Sequence, residues 1–201
     1  GRIRLLKNVT GLWLVQQCRA TWQKAGRDYS YGDLVRLAEG APALSSFIDP
    51  NSPDFLSPGD HPALVRALCA ATGQPVPQDE GAVVRAILES LALEYRVIFE
   101  RLARLTGNNI EVIHIFGGGS QNQLLNQMTA NATGRPVVAG PVEATVLGNV
   151  LVQLIACGEL NGLQEARQLV AQSGQLTRYE PQDTALWEKA YDRYRERSAP
   201  G

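Results

Sequence analysis

The chain has 201 residues, 44% hydrophobic and 19% charged, with 19 Lys+Arg against 20 Asp+Glu and a formal net charge of −1. That composition describes a globular protein with enough length to bury a core without metal or disulfide staples. It excludes the basic footprint of a nucleic-acid-binding surface, and no apolar run reaches the roughly 18 residues of a membrane span.

Three cysteines, Cys18, Cys69 and Cys157, stand far apart in apolar helical surroundings. Buried free thiols in a reducing cytoplasm are the expectation. With no CxxC and only His61 and His114 as imidazoles, no structural zinc site is expected. Arg193, Arg195 and Arg197 alternate with acids and read as a solvated helix face. The segment from Gly1 to Lys7 is short and basic, with no signal-peptide core. It lacks an initiator Met, and the chain reads as cut from something longer.

In chain order, residues 8–25 read as a helix with Asn8 as N-cap and Gly26 as its stop. Tyr31 to Glu39 is a second helix. Residues 40–62 carry Pro42, Pro50, Pro53, Pro58 and Pro62, which deny a helix or central strand its donors. This is expected to be an ordered loop held by Phe47, Ile48, Phe55 and Leu56. Pro62 to Thr72 is a helix. Asp79 to Leu105 is the longest, with an apolar stripe through Val83, Ile87, Leu91, Tyr95, Ile98, Leu102 and Leu105.

The next stretch carries chemistry. Residues 111–116, EVIHIF, suit a buried strand. Gly117, Gly118, Gly119, Ser120, Gln121 and Asn122 follow, and a helix is expected from about Gln121 to Thr133. Glycines permit positive φ and let a ligand lie against bare main chain; a helix N-terminus offers N–H groups to anions. Asn122, in the first turn, presents both a donor and an acceptor. The arrangement suits a nucleotide, and it equally suits a plain tight turn, for it is neither GxGxxG nor a phosphate-loop GK[ST] motif. Val137 to Ala139 is a second strand. Gly140-Pro141 then leads past Glu143 and Thr145 into a helix ending at Ala156. Helices over 163–172 and 184–197 finish an α/β pattern with few strands, and a two-stranded sheet is marginal alone.

The strand followed by GGGSQNQLLNQMTANATGRPV, and then AGPVEATVLGNVLVQLIA, resembles the C-terminal domain of the FGGY carbohydrate kinases. The stretches NVTGLWLVQQ and SPDFLSP extend the resemblance, in order, over nearly the whole chain. The resemblance implies one lobe of an actin-like, ribonuclease-H-like ATPase fold. It implies ATP or ADP with Mg2+ in a cleft between two lobes, and a sugar or polyol hydroxyl that takes the γ-phosphoryl group. Gly118 matches the family's glycine beside the adenosine, with Gly117 and Gly119 flanking it, and Asn122 matches the polar residue that reaches the base. Asn8 and Gln16 match further nucleotide contacts, and Glu143 and Thr145 are second-rank candidates. The general-base aspartate would lie upstream of Gly1, on a lobe this chain lacks. Asp28, Asp33, Asp49, Asp54, Asp60 and Asp79 match no catalytic motif. The implied partners are an adenine nucleotide and the other lobe, through which most sugar contacts would come. A xylulose, glycerol, gluconate or fuculose kinase, or a non-catalytic nucleotide-binding module, shares these features.

Overall fold

The computed structural model describes residues 5–173 and 176–198. Its spine is a 27-residue helix, Glu80–Thr106, capped by the Asp79 carboxylate on Ala82 N–H and closed by Gly107 at φ +65°. Counting along the chain, the helices are α1 (Trp13–Lys24), α2 (Tyr31–Gly40), α3 (His61–Ala71), the spine α4, α5 (Gln123–Thr133), α6 (Ala144–Ala156), α7 (Leu163–Gln172) and α8 (Thr184–Ser198). The strands are β1 (Ile113–Ile115), β2 (Val137–Ala139) and β3 (Thr177–Tyr179). Short 3-10 segments occupy Pro53–Leu56 and Gly117–Gln121.

The N-terminal half of α4 makes the core and is buried on every side, with residues 86–94 buried without a break. Val83, Ile87, Leu88 and Leu91 are fully buried, beside Leu14, Cys18 and Trp22 of α1, Leu34 of α2, Val65 of α3 and Tyr194 of α8. Helix α2 approaches α4 closely because position 81 is glycine: a Cβ there would stand 2.4 Å from the Leu37 carbonyl oxygen. Helix α2 is itself opened by a capping box. Asp33 N–H donates to Ser30 Oγ at 3.1 Å, and Ser30 N–H returns to the Asp33 carboxylate at 2.9 Å. These Ser30 bonds hold the Asp33 carboxyl below its ordinary value.

The proline-rich segment is ordered by polar groups as much as by apolar ones. Leu44 N–H donates to Glu89 at 2.8 Å, Ile48 N–H to Ser90 Oγ at 3.0 Å, and Asn51 Nδ2 to Glu94 at 3.0 Å. The Gln74 side chain pairs with both the N–H and the C=O of Phe47, at 2.8 and 2.7 Å. These side chains stand in for a partner strand, so the loop's buried main chain is not left orphaned. Phe47, Ile48 and Phe55 anchor it as expected, but Leu56 is 76% exposed and does not.

The sheet runs β1-β2-β3, with β1 and β2 parallel and β3 antiparallel to β2. Ile113 faces Val137 and Ile115 faces Ala139 across the parallel pair. Strand β1 is an edge with one neighbour, which is why only three of the six residues expected in it are ladder-bonded.

Several expectations need correction. Helix α1 starts at Trp13, not residue 8, because Gly11 turns the chain at φ +61°; Asn8 precedes the helix and caps nothing. Glycines 117–119 and Gln121 form a 3-10 turn, and α5 starts at Gln123. Strand β3 has no strong alternation and was not expected. The stripe of α4 does not stay buried: Leu105 is 75% exposed. Cys18 and Cys69 are buried, and burial pushes the Cys18 thiol up to about 12, but Cys157 is exposed just past α6. Part of the basic segment from Gly1 to Lys7, and the Arg197 side chain, lie outside the described residues. No described helix is long and apolar enough to cross a membrane.

Two outcomes follow from this packing. Gly81→Ala forces α2 off α4 and lowers stability by roughly 1–3 kcal/mol; a urea midpoint equal to the parent's, at unchanged m, contradicts it. Glu89 is 1% exposed, and burial raises its carboxyl above the 4.5 of a free glutamate. The folded state then holds more protons than the unfolded one above 4.5, so this residue's contribution to stability falls as pH rises through that window. The stability of the parent relative to Glu89→Gln therefore declines as pH rises above 4.5; a difference that does not change with pH there contradicts it.

Candidate nucleotide site

The parallel pairing of β1 with β2 puts the chain's two glycine-led turns next to each other. Both leave the carboxyl ends of their strands, where open α/β sheets hold ligands. The first turn follows Phe116. Gly117 takes φ +74°, a conformation that glycine adopts without a Cβ penalty, and its N–H donates to Pro141 O of the second turn at 3.3 Å. Gly140 N–H donates to Ile115 O at 2.8 Å, and the Gly140–Pro141 peptide bond is cis.

The first turn is also pinned from below. Ser120 Oγ donates to Gly117 O at 2.6 Å, and Asn122 N–H donates to Gly119 O at 3.2 Å. Asn126 Nδ2, from the buried face of α5, donates to Ser120 O at 2.9 Å. Asn122 Oδ1 accepts from Leu125 N–H at 2.9 Å and so caps α5. That bond uses the side-chain oxygen and leaves the Nδ2 donor for another partner.

The three glycines are not equivalent. Gly117 is required by its φ. A Cβ on Gly119 would meet Ile115 Cγ2 at 3.8 Å, an ordinary contact. A Cβ on Gly118 would meet nothing within 4 Å, and its φ is not positive. The fold therefore does not ask for glycine at 118. Beside the turn, Phe116 is 58% exposed and stacks on His114 at 6.0 Å between ring centroids. The site offers bare main chain, an aromatic edge and the start of a helix, which suits a nucleoside.

The other candidates are placed less tightly. Asn8 is exposed between Lys7 and Val9, which line a cavity of about 660 Å3 together with Gly119, Asn126 and α4 residues including Phe99 and Leu102. Gln16 is exposed in the first turn of α1, its N–H on Leu12 O at 3.1 Å; no described contact joins it to the glycine turn. Glu143 and Thr145 are exposed at the second turn, and α6 has no side-chain cap. Among the described residues no group of three or more His, Cys, Asp or Glu could hold a metal ion. Sequence reasoning missed Ser120 and Asn126. A polar residue four positions after the Asn122 cap, on the apolar face of α5, was the available signal.

Residues 1–157 match the FGGY family of carbohydrate kinases, C-terminal domain. The chain is 48% identical over 191 residues to a rhamnulokinase of Bacteroides thetaiotaomicron, covering 95% of this chain and 39% of that protein. It is 46% identical over 173 residues to one from Enterococcus faecalis, covering 85% of this chain and 34% of the relative. It thus spans under two fifths of the length of these relatives. Among solved structures, Plasmodium falciparum glycerol kinase with ADP superposes with a TM-score of 0.66 at 14% identity, over 96% of this chain and 37% of that one. A Rhodospirillum rubrum xylulose kinase gives 0.63 at 17% identity, over 92% and 37%. These two carry the fold alone, which is the helix-rich lobe expected of an actin-like ATPase. By its family match and its sequence identity to curated relatives, the chain belongs to the FGGY family of carbohydrate kinases, in the region of their C-terminal domain.

Proposed function

We propose that residues 1–201, with the loop at 40–62 built in, are the adenine-nucleotide-binding domain of a cytoplasmic sugar kinase. Its sugar is L-rhamnulose, converted to L-rhamnulose 1-phosphate. The observation that carries the nucleotide site is Gly118: open space at its Cβ position and no positive φ, at the carboxyl end of a parallel strand. The sugar rests on the rhamnulokinase relatives at 48% and 46% identity.

In this reading ATP supplies the γ-phosphoryl group that the sugar hydroxyl receives. Gly117 sets the bend. Gly118 and Gly119 leave the main chain bare for the adenosine, and Asn122 Nδ2 reaches the base while Oδ1 holds the helix cap. Asn8 and Gln16 are outer contacts. Mg2+ typically keeps several waters and is held by one or two carboxylates together with the substrate phosphates, and among the described residues no group of three or more His, Cys, Asp or Glu forms a closed cation site. No step is assigned to the metal through these residues. Phosphoryl transfer is mostly positioning and charge neutralisation by several groups at once, and here the general base belongs to the other lobe. That lobe is also the proposed cover for the apolar surface of α6, where Val146 is 58%, Val150 46% and Val152 59% exposed.

The glycines give a paired test. Gly117→Ala costs roughly 1–2 kcal/mol of stability from its backbone conformation, whereas Gly118→Ala leaves the melting midpoint unchanged. In calorimetric titration with ADP, Gly118→Val abolishes binding and Asn122→Ala weakens it. Parent-like ADP affinity in Gly118→Val contradicts the site. The chain alone gives no coupled-assay turnover above a no-protein blank; turnover would refute the division of labour between lobes.

A further inference from the structure

Asn126 is fully buried, yet its Oδ1 has no hydrogen-bond partner. Its Nδ2 is engaged, donating to Ser120 O at 2.9 Å. Ser120 is itself nearly buried, and its hydroxyl continues the chain to Gly117 O at 2.6 Å. A buried amide that leaves one end unpaired is costly, and a leucine of similar size would avoid that cost among Leu125, Met128 and Thr129. Helix α5 does not need Asn126 for its own bonds: the cap is Asn122, and Thr129 Oγ1 bonds back to Leu125 O at 2.7 Å. The polar end that is used points to one thing, the carbonyls inside the glycine turn.

We infer that Asn126 is a positioning residue for the nucleotide turn. It acts through Ser120 to hold Gly117–Gln121 in the 3-10 form that presents Gly118. It touches no nucleotide. Its effect on function rests on the proposed contact between adenosine and this turn. Without the Nδ2 bond, the Ser120 carbonyl is free to rotate, Gly117 O loses its fixed donor, and the bare main chain no longer sits in one geometry. A preorganised surface of this kind binds its ligand without the cost of ordering itself on contact.

The test compares the 201-residue chain with Asn126→Leu, Ser120→Ala and the double variant by residue-resolved amide hydrogen exchange. The probes are Asn122 N–H, bonded to Gly119 O, and Gly117 N–H, bonded to Pro141 O. The references are Ile113 N–H, bonded to Pro136 O, and the α4 core amides of Leu88 and Leu91. Asn126→Leu accelerates the two turn amides about tenfold and leaves the references alone, as local rather than global opening requires. Ser120→Ala accelerates them similarly, and the double variant does so less than additively. Turn amides exchanging at the parent rate overturn the inference, and so does equal acceleration of every amide, which is loss of overall stability. Ser120→Ala keeps the result decidable if Asn126→Leu does not fold. In a parallel ADP titration, Asn126→Leu binds about tenfold more weakly. Loosened turn amides with unchanged ADP affinity uphold the positioning role and overturn the adenosine site instead.

Discussion

The parallel register of β1 on β2 is the constraint on which the site depends. Ile115 opposite Ala139 brings the turn after Phe116 beside the turn at Gly140–Pro141, and main-chain bonds run both ways between them. If the register slipped by one residue, every side chain of β1 would change face, and the Gly117 N–H would lose Pro141 O. The three-residue strands contribute little stability themselves. They act as an alignment device for two loops, while α4 and its neighbours supply the buried area.

That division explains what was legible in the sequence. The long periodic helices were readable, because α4 repeats its apolar residues and brackets them with Asp79 and Gly107. The strand-to-helix turn was readable as a place, since three glycines after a β-branched run permit little else. Its internal form was not. A 3-10 turn over Gly117–Gln121 arises from Ser120 folding back on Gly117 and from Asn126 reaching up from α5, and neither bond is local in the pattern. Asn8 is not a cap because Gly11 redirects the chain at φ +61° before α1 begins, where Trp13 meets the His61 ring edge-on. Strand β3 is too short to show a period, though Thr177 and Tyr179 suit a strand, and it forms by pairing with the edge of β2. Leu56 and Cys157 show the limit of inferring burial from apolar context alone.

The sequence marks the glycine turn as a candidate and does not separate the structural parts its residues play. Sequence treats Gly117, Gly118 and Gly119 alike; only the geometry separates a glycine required by backbone conformation from one that its own fold leaves unexplained. Asn122 likewise divides into an oxygen that caps and a nitrogen that remains available. The same logic applies to the half-exposed stretch of α4 from Tyr95 to Leu102, which lines the cavity beside β1. Among the described residues the outer edge of β1 has no strand partner, and the chain covers 39% and 34% of its relatives' length.

The most direct measurement is a crystal structure of the chain grown in saturating ADP. Adenosine is expected to lie against the main chain of Gly117, Gly118 and Gly119, at the carboxyl ends of the parallel pair, with Asn122 Nδ2 within hydrogen-bonding distance of the base. Nucleotide bound elsewhere, or a turn left empty at saturation, would contradict it.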